Sequence, residues 1–245
     1  MGKEPSMTDI VRLVVGYDAR ETIAYHVFCQ SVIDKTTLPV SFLPLVEQSL
    51  ADYKETHEDG SNRFTYTRFL TPFLMNFEGW AIFADGDMVC KSDIAELWKQ
   101  RDASKAVQVI KHNYLTKSGT KYLNNKNENY PRKNWSSIIL WNCGHIKNRC
   151  LTPNFVSSMD GSFLHRLKWL EDDLIGELNK FWNWLAVEYD DNPQANLIHY
   201  TLGTPCFNDY RDCSSSEYWH HAFAKTLQGL EDPNQYFKKL LSQIS

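Results

Sequence analysis

Apolar and polar positions along this chain repeat with two different periods. Short, β-rich apolar runs occur at Ile10–Val15 (IVRLVV), Pro39–Leu45 (PVSFLPL), Trp80–Ala84, Ala106–Lys111 (AVQVIK), Ser136–Trp141 (SSIILW) and Leu197–Tyr200 (LIHY), and each has the length of a buried strand. Between the first two runs, Ile23, Val27, Val32 and Ile33 recur with a loose helical period from about Arg20 to Lys35. Strand, helix and strand in this order predict a parallel βαβ unit with its loops at one sheet edge. Arg63–Phe77 is aromatic-rich and reads as helix, with Pro72 breaking or restarting it. Further helices are predicted over Ser92–Gln100, opened by a Ser92 cap, over Leu164–Leu178, and from Ser216 onward. Asp52–Asn62 reads as a polar loop, and Tyr114–Lys133 as a long polar excursion of the kind that usually carries function or mobility. With no internal repeat and no break in composition, residues 10–245 read as one α/β domain behind a polar leader at 1–9.

The bulk composition narrows the classes. Of the 245 residues, 42% are apolar and 23% charged, ordinary for a globular chain of this length. A net charge of −4 without a basic run argues against duplex nucleic acid as the main partner. The six cysteines form no C-x-x-C pair, so they read as buried or idle thiols of a reducing, cytoplasmic compartment. No apolar stretch is long enough for a transmembrane span. Aromatic residues reach 13%, including eight Trp, which serve a large core or flat faces for sugars and bases.

Candidate chemistry is concentrated where the Trp80–Ala84 run ends in Asp85-Gly86-Asp87. Residues i and i+2 of a strand point to the same side, so both carboxylates can approach one point past the strand end. Gly86 permits a bend or a close ligand there. Such a pair suits a hard divalent cation and the phosphate that accompanies it; taken alone, the pattern also fits a solvated turn.

Several fragments in order resemble the retaining glycosyltransferases of family 8, the group that includes glycogenin and bacterial lipooligosaccharide galactosyltransferases. Val14–Glu21 (VVGYDARE) resembles that family's first nucleotide-contacting loop, and Thr65–Leu74 (TYTRFLTPFL) its Tyr-x-Arg helix. Ala81–Cys90 (AIFADGDMVC) is similar to its D-x-D strand. Leu140–Asn148 (LWNCGHIKN) is similar to its Asn-Ser-Gly turn, with Cys143 in place of Ser. Trp169–Leu185 resembles a helix with an acidic pair followed by a segment ending in Trp-Asn, and Leu197–Phe207 (LIHYTLGTPCF) the closing His strand. The likeness spans roughly residues 10–210. One departure stands out: the family's Lys-Pro-Trp after the His-Tyr strand, whose lysine helps hold a diphosphate, is here Gly203-Thr204-Pro205-Cys206-Phe207.

The resemblance implies a single-domain GT-A fold, with a Rossmann-like, mostly parallel central sheet flanked by helices. It implies a metal-dependent retaining transferase that moves a sugar from a nucleotide-diphosphate sugar, UDP-sugar by default, to a hydroxyl acceptor. Asp85, Asp87 and His199 would hold Mn2+ or Mg2+; imidazole beside carboxylates favours manganese. His199 taken alone reads as a core histidine. Gly16, Tyr17 and Asp18 would meet base and ribose, with Gly86 and Gly203 lining the donor site. Arg68 would lie near the donor sugar and phosphates, and Asn142 would touch sugar or acceptor. Asp173, the favoured member of the Asp172–Asp173 pair, would face the pocket. Glycan, lipid-linked, protein and small-molecule acceptors all remain open. The competing readings are a non-catalytic glycan-binding scaffold of the same fold and a sugar-nucleotide nucleotidyltransferase.

Overall fold

A computed structural model describes residues 9–244, so the expected leader, apart from Asp9, lies outside the described residues. In chain order the regular elements are β1 (Val11–Gly16), α1 (Thr22–Ile33), β2 (Val40–Leu45), α2 (Thr71–Leu74), β3 (Trp80–Ala84), β4 (Met88–Cys90), α3 (Ile94–Trp98) and β5 (Val107–Val109). They continue with β6 (Thr120–Lys121), β7 (Asn125–Lys126), β8 (Ile138–Asn142), α4 (Pro153–Ser158), α5 (Gly161–His165), β9 (Ile175–Glu177), β10 (Trp184–Leu185), β11 (Leu197–His199), α6 (Ser216–Thr226) and α7 (Pro233–Ile244).

The main sheet has the order β2-β1-β3-β8-β5-β9. All pairings are parallel except the two made by β8, so β8 runs against its five companions. Strand alternation splits the core into two layers. Val14, Ala81, Phe83, Ile139 and Trp141 face the side covered by α2, α4 and α5. Val11, Leu13, Val15, Ile82, Ile138 and Leu140 face the side covered by α1 and α3. Burial on both faces explains why these strands read as continuous apolar runs.

A second sheet, β10-β11-β4, leaves the carboxyl edge of the first. β4 follows directly from Asp87 and pairs antiparallel with β11 in the register His199↔Met88, and Tyr200 N–H donates to Asp87 O at 3.0 Å. That register alone carries His199 to the D-x-D turn.

Three local expectations are corrected. Leu164–Leu178 is not a helix: α5 stops at His165, Leu167 sits at φ 54°, and the segment ends as strand β9 beside β5. The cap of α3 is Asp93, not Ser92, because the Asp93 side chain accepts the Ala95 N–H. Arg63–Phe77 is mostly a 3-10 turn at Thr67–Leu70 leading into the four residues of α2, with Pro72 seated in its first turn. The polar excursion contains a small hairpin, β6–β7.

Candidate metal centre

The ends of β1 and β3 meet where the D-x-D turn begins. A Cβ on Gly86 would run into the Gly16 carbonyl oxygen, so the turn passes the end of β1 at a distance that only glycine allows. Asp85 and Asp87 are buried, with 6% and 5% exposure, and His199 with 2%. One ligand atom from each of the three lies within 4.8 Å of the others. His199 Nε2 is 3.2 Å from Asp87 Oδ1 and 3.8 Å from Asp85 Oδ2.

The tautomer of His199 follows from its neighbours. Ser137 Oγ donates to Asn134 O at 2.8 Å, so it must accept from Asn183 Nδ2 at 2.7 Å. The other atom of that amide, Oδ1, then faces His199 Nδ1 at 3.0 Å and accepts its proton. In the neutral ring this turns the Nε2 lone pair toward the carboxylates. Asp87 Oδ1 is buried without a hydrogen-bond partner, while Asp85 Oδ1 is paired with the Arg68 guanidinium. An unsatisfied Asp87 oxygen, the Asp85 carboxylate and one imidazole lone pair around a common point fit a divalent cation. The hydrogen bond to Asn183 is the outer support that metal-bound histidines usually have.

Arg68 lies against this cluster from below. Its Nε donates to Phe64 O and Thr65 O, and its Nη1 donates to Ser136 O at 2.9 Å and sits 2.8 Å from Asp85 Oδ1. The guanidinium is also wedged between the rings of Phe64 and Phe83, at 5.4 and 5.1 Å. Burial pushes the Asp85 carboxyl above the usual carboxylate range, and Arg68 opposes that shift. Ser137 also binds Asp85 through its carbonyl, which accepts the Asp85 N–H at 3.0 Å.

Sequence reasoning did not single out the remaining groups around Asp87. Glu21 is buried; its Oε1 accepts from Tyr122 Oη at 3.0 Å, and its Oε2 has no partner. Burial, helped by the Asp87 charge, raises its pKa to about 8. Lys121, at the tip of β6, is partly buried and donates to Ser61 Oγ at 3.0 Å. A cavity of about 700 Å³ has Ser61, Lys121, Tyr130, Lys133, His165 and Thr201 in its wall, and Lys121, whose charge acts on both Asp85 and Asp87, connects it to the cluster. The Trp-Asn ending of the 169–185 segment was the available signal for Asn183; Glu21 and Lys121 had none.

The other expected residues are dispersed. Both Asp18 oxygens are engaged, by the Arg20 backbone and guanidinium and by Arg63 N–H, so Asp18 caps the turn after β1. The Tyr17 hydroxyl meets Thr22 Oγ1, and its ring stands edge-on to Tyr25. Gly203 is packed against the Tyr210 ring and Tyr122 Cβ. Asn142 and Asp173 are corrected outright. β8 is antiparallel to β3 with Asn142 opposite Trp80, so Asn142 sits at the far edge, five residues or about 16 Å of strand from Asp85. Ala106 links Asn142 N–H to Leu174 O on that same edge, where Asp173 is exposed and its carbonyl accepts from Lys105. Neither side chain reaches the cluster.

Protein CDI of Arabidopsis thaliana is 38% identical to this chain over 237 residues, covering 93% of the chain and 89% of that protein. The chain belongs to the family of Protein CDI. No protein-family model matches the sequence. Among solved structures, the bifunctional glycosyltransferase WbbM aligns over 91% of the chain with a TM-score of 0.57 at 16% identity. GlyE of Streptococcus pneumoniae TIGR4 covers 95% with 0.55 at 13%, and the galactosyltransferase LgtC, solved with donor and acceptor sugar analogues, covers 94% with 0.55 at 12%. The chain spans about half of WbbM (51%) and 63% of GlyE, but the whole of LgtC (100%). These likenesses define the fold of the CDI-family chain as GT-A-like, with the Asp85–Asp87–His199 cluster at the carboxyl edge of its sheet. No helix among the described residues is long and apolar enough to cross a membrane.

Proposed function

We propose that this chain is a metal-dependent glycosyltransferase of the family 8 type, transferring a sugar from a nucleotide-diphosphate sugar, UDP-sugar by default, to a hydroxyl acceptor. The reading rests on one observation: two buried carboxylates and an oriented imidazole converge at the carboxyl edge of a GT-A-like sheet. That edge is where open α/β sheets bind ligands. The ordered resemblance over residues 10–210 adds family 8 and retention to the proposal.

Asp85, Asp87 and His199 would hold the cation, which when bound would neutralise charge growing on the departing diphosphate. Arg68 keeps Asp85 ionised and in place, and Asn183 fixes the ring of His199. Gly16 and Tyr17 lie at the end of β1, where the base and ribose would be received. The adjoining cavity, about 700 Å³, has room for a sugar and part of an acceptor. In the transfer the acceptor oxygen bonds to the anomeric carbon while the bond from that carbon to the phosphate oxygen breaks. The leaving oxygen takes the acceptor proton. The six free cysteines suit a cytoplasmic setting.

The test is nucleotide release from a panel of sugar nucleotides in Mn2+, with and without EDTA. EDTA-sensitive release of nucleoside diphosphate supports the proposal. Pyrophosphate formation would indicate a nucleotidyltransferase, and no turnover with any donor would favour the scaffold reading, which the missing Lys-Pro-Trp lysine supports.

A further inference from the structure

The family-type lysine is missing from the loop after the His199 strand, yet a cation reaches the same place from another part of the chain. Tyr122 N–H donates to Leu202 O at 2.6 Å, so the β6–β7 hairpin is bonded to the very loop that begins at Gly203. Tyr122 then packs on Phe207, ring centroids 5.1 Å apart, and its hydroxyl ends on Glu21. A Cβ on Gly203 would lie 3.0 Å from Tyr122 Cβ, so the glycine is what lets the hairpin settle there. These contacts hold the preceding residue, Lys121, beside the metal cluster. Asp87 and Asp85 both act on its ammonium, against the burial that disfavours its charge.

Among the described residues Lys121 makes one hydrogen bond, to Ser61 Oγ, and lines the cavity with its remaining donors free to meet a ligand. Charge balance indicates what those donors await. Asp85 and Asp87 are offset by Arg68 and Lys121, so a divalent cation in the cluster leaves two positive charges in excess. A diphosphate diester carries the two negative charges that close this balance.

We infer that Lys121 is the cation that grips the diphosphate of the donor, delivered by the β6–β7 hairpin in place of a lysine after the His199 strand. This rests on the glycosyltransferase reading for the identity of the donor, but the anion site itself can be tested apart from transfer. Binding of pyrophosphate, of UDP and of uridine is measured by calorimetry in Mn2+ for the wild-type chain, Lys121→Gln and Lys121→Arg. K121Q should weaken pyrophosphate and UDP by on the order of 10–100-fold, the loss expected for a charge-assisted contact. Mn2+ alone should bind K121Q at least as tightly as the wild type, because a positive charge beside the two carboxylates is gone, and K121R should recover part of the phosphate affinity. In the unmutated protein, Mn2+ with pyrophosphate should shield Lys121 from an amine-acetylating reagent, read by mass spectrometry; this arm does not depend on the folding of a variant.

Pyrophosphate and UDP affinities within twofold of wild type in K121Q, or equal labelling of Lys121 with and without pyrophosphate, overturn the inference. A Lys121-dependent pyrophosphate site in a chain that transfers no sugar would uphold it and sink the glycosyltransferase reading. Failure of the wild type to bind either phosphate compound would overturn both.

Discussion

Asn183 Oδ1 accepts the Nδ1 proton of His199 at 3.0 Å, and Asn183 is itself held through Ser137 Oγ at 2.7 Å. The imidazole therefore cannot turn its other nitrogen away from Asp85 and Asp87. Asn183→Ala should weaken Mn2+ binding by about 10–100-fold, the usual cost of removing the outer partner of a metal-bound histidine. Titration with Mn2+ followed by paramagnetic resonance measures this. An affinity equal to that of the wild type would show that the ring is held by packing alone.

Asp87→Asn separates ligation from stability. Against its burial, His199 and Lys121 hold the Asp87 carboxyl below the usual carboxylate range, so the metal-free variant should melt somewhat below the metal-free wild type. The gain from saturating Mn2+, about 2.7 kcal/mol at a hundredfold excess over Kd, should vanish. Thermal melts with and without Mn2+ check both halves.

Arg68→Met should be costly for the fold as well as for activity. It strips the buried Asp85 carboxylate of its cation, a loss of about 3–5 kcal/mol for a buried pair broken on one side. Denaturant midpoints measure this loss. Saturating Mn2+ should return part of it, since the cation supplies the missing positive charge.

Acid should destabilise the chain before its ordinary, exposed carboxylates titrate. Burial, with Arg68 adding to it, pushes His165 from its ordinary 6.5 down to about 3, and burial does the same to His112. The unfolded chain takes up a proton at each site below pH 6.5, while the folded chain refuses it until about pH 3. Stability contributed by the neutral rings is therefore complete above pH 6.5 and lost as the pH falls, about 2 kcal/mol per ring at pH 5. His165→Gln should make the slope of stability against pH shallower by one proton between pH 4.5 and 6.5. An unchanged slope would mean that His165 is protonated in the folded state.

Gly86→Ala drives a methyl group into the Gly16 carbonyl and should part β1 from the D-x-D turn. Mn2+ binding should fall more steeply than the melting temperature, because the turn can shift while the sheet remains paired. Metal titration and a melt on the same sample compare the two.

Six strands, β1, β2, β3, β5, β8 and β11, were legible as short apolar runs, and the Asp85–Asp87 pair as the end of one of them; His199 joined that pair only through the family resemblance. Strand direction was not legible. SSIILW reads the same in either orientation, so Asn142 was expected at the working edge although it follows a reversed strand. Asp173 was misplaced because Leu164, Leu170 and Leu174 have helical spacing, while Leu167 takes a left-handed backbone and the segment turns back into the sheet. Lys121 lay hidden in a polar excursion with no apolar period. Long-range contacts fix where it falls, among them the bond from Tyr122 to Leu202, between residues eighty positions apart.

The reversal of β8 also sorts its two flanks by how much change they tolerate. Ser136 O receives Arg68, Ser137 O receives Asp85, and Ser137 Oγ receives Asn183, all from the few residues that enter the strand. One residue inserted ahead of Ile138 would slip every one of those attachments together, whereas added length beyond Asn142 would emerge at the back of the molecule, clear of the ion. The five-residue strand thus carries the ion's supports at its entry and none of them at its exit.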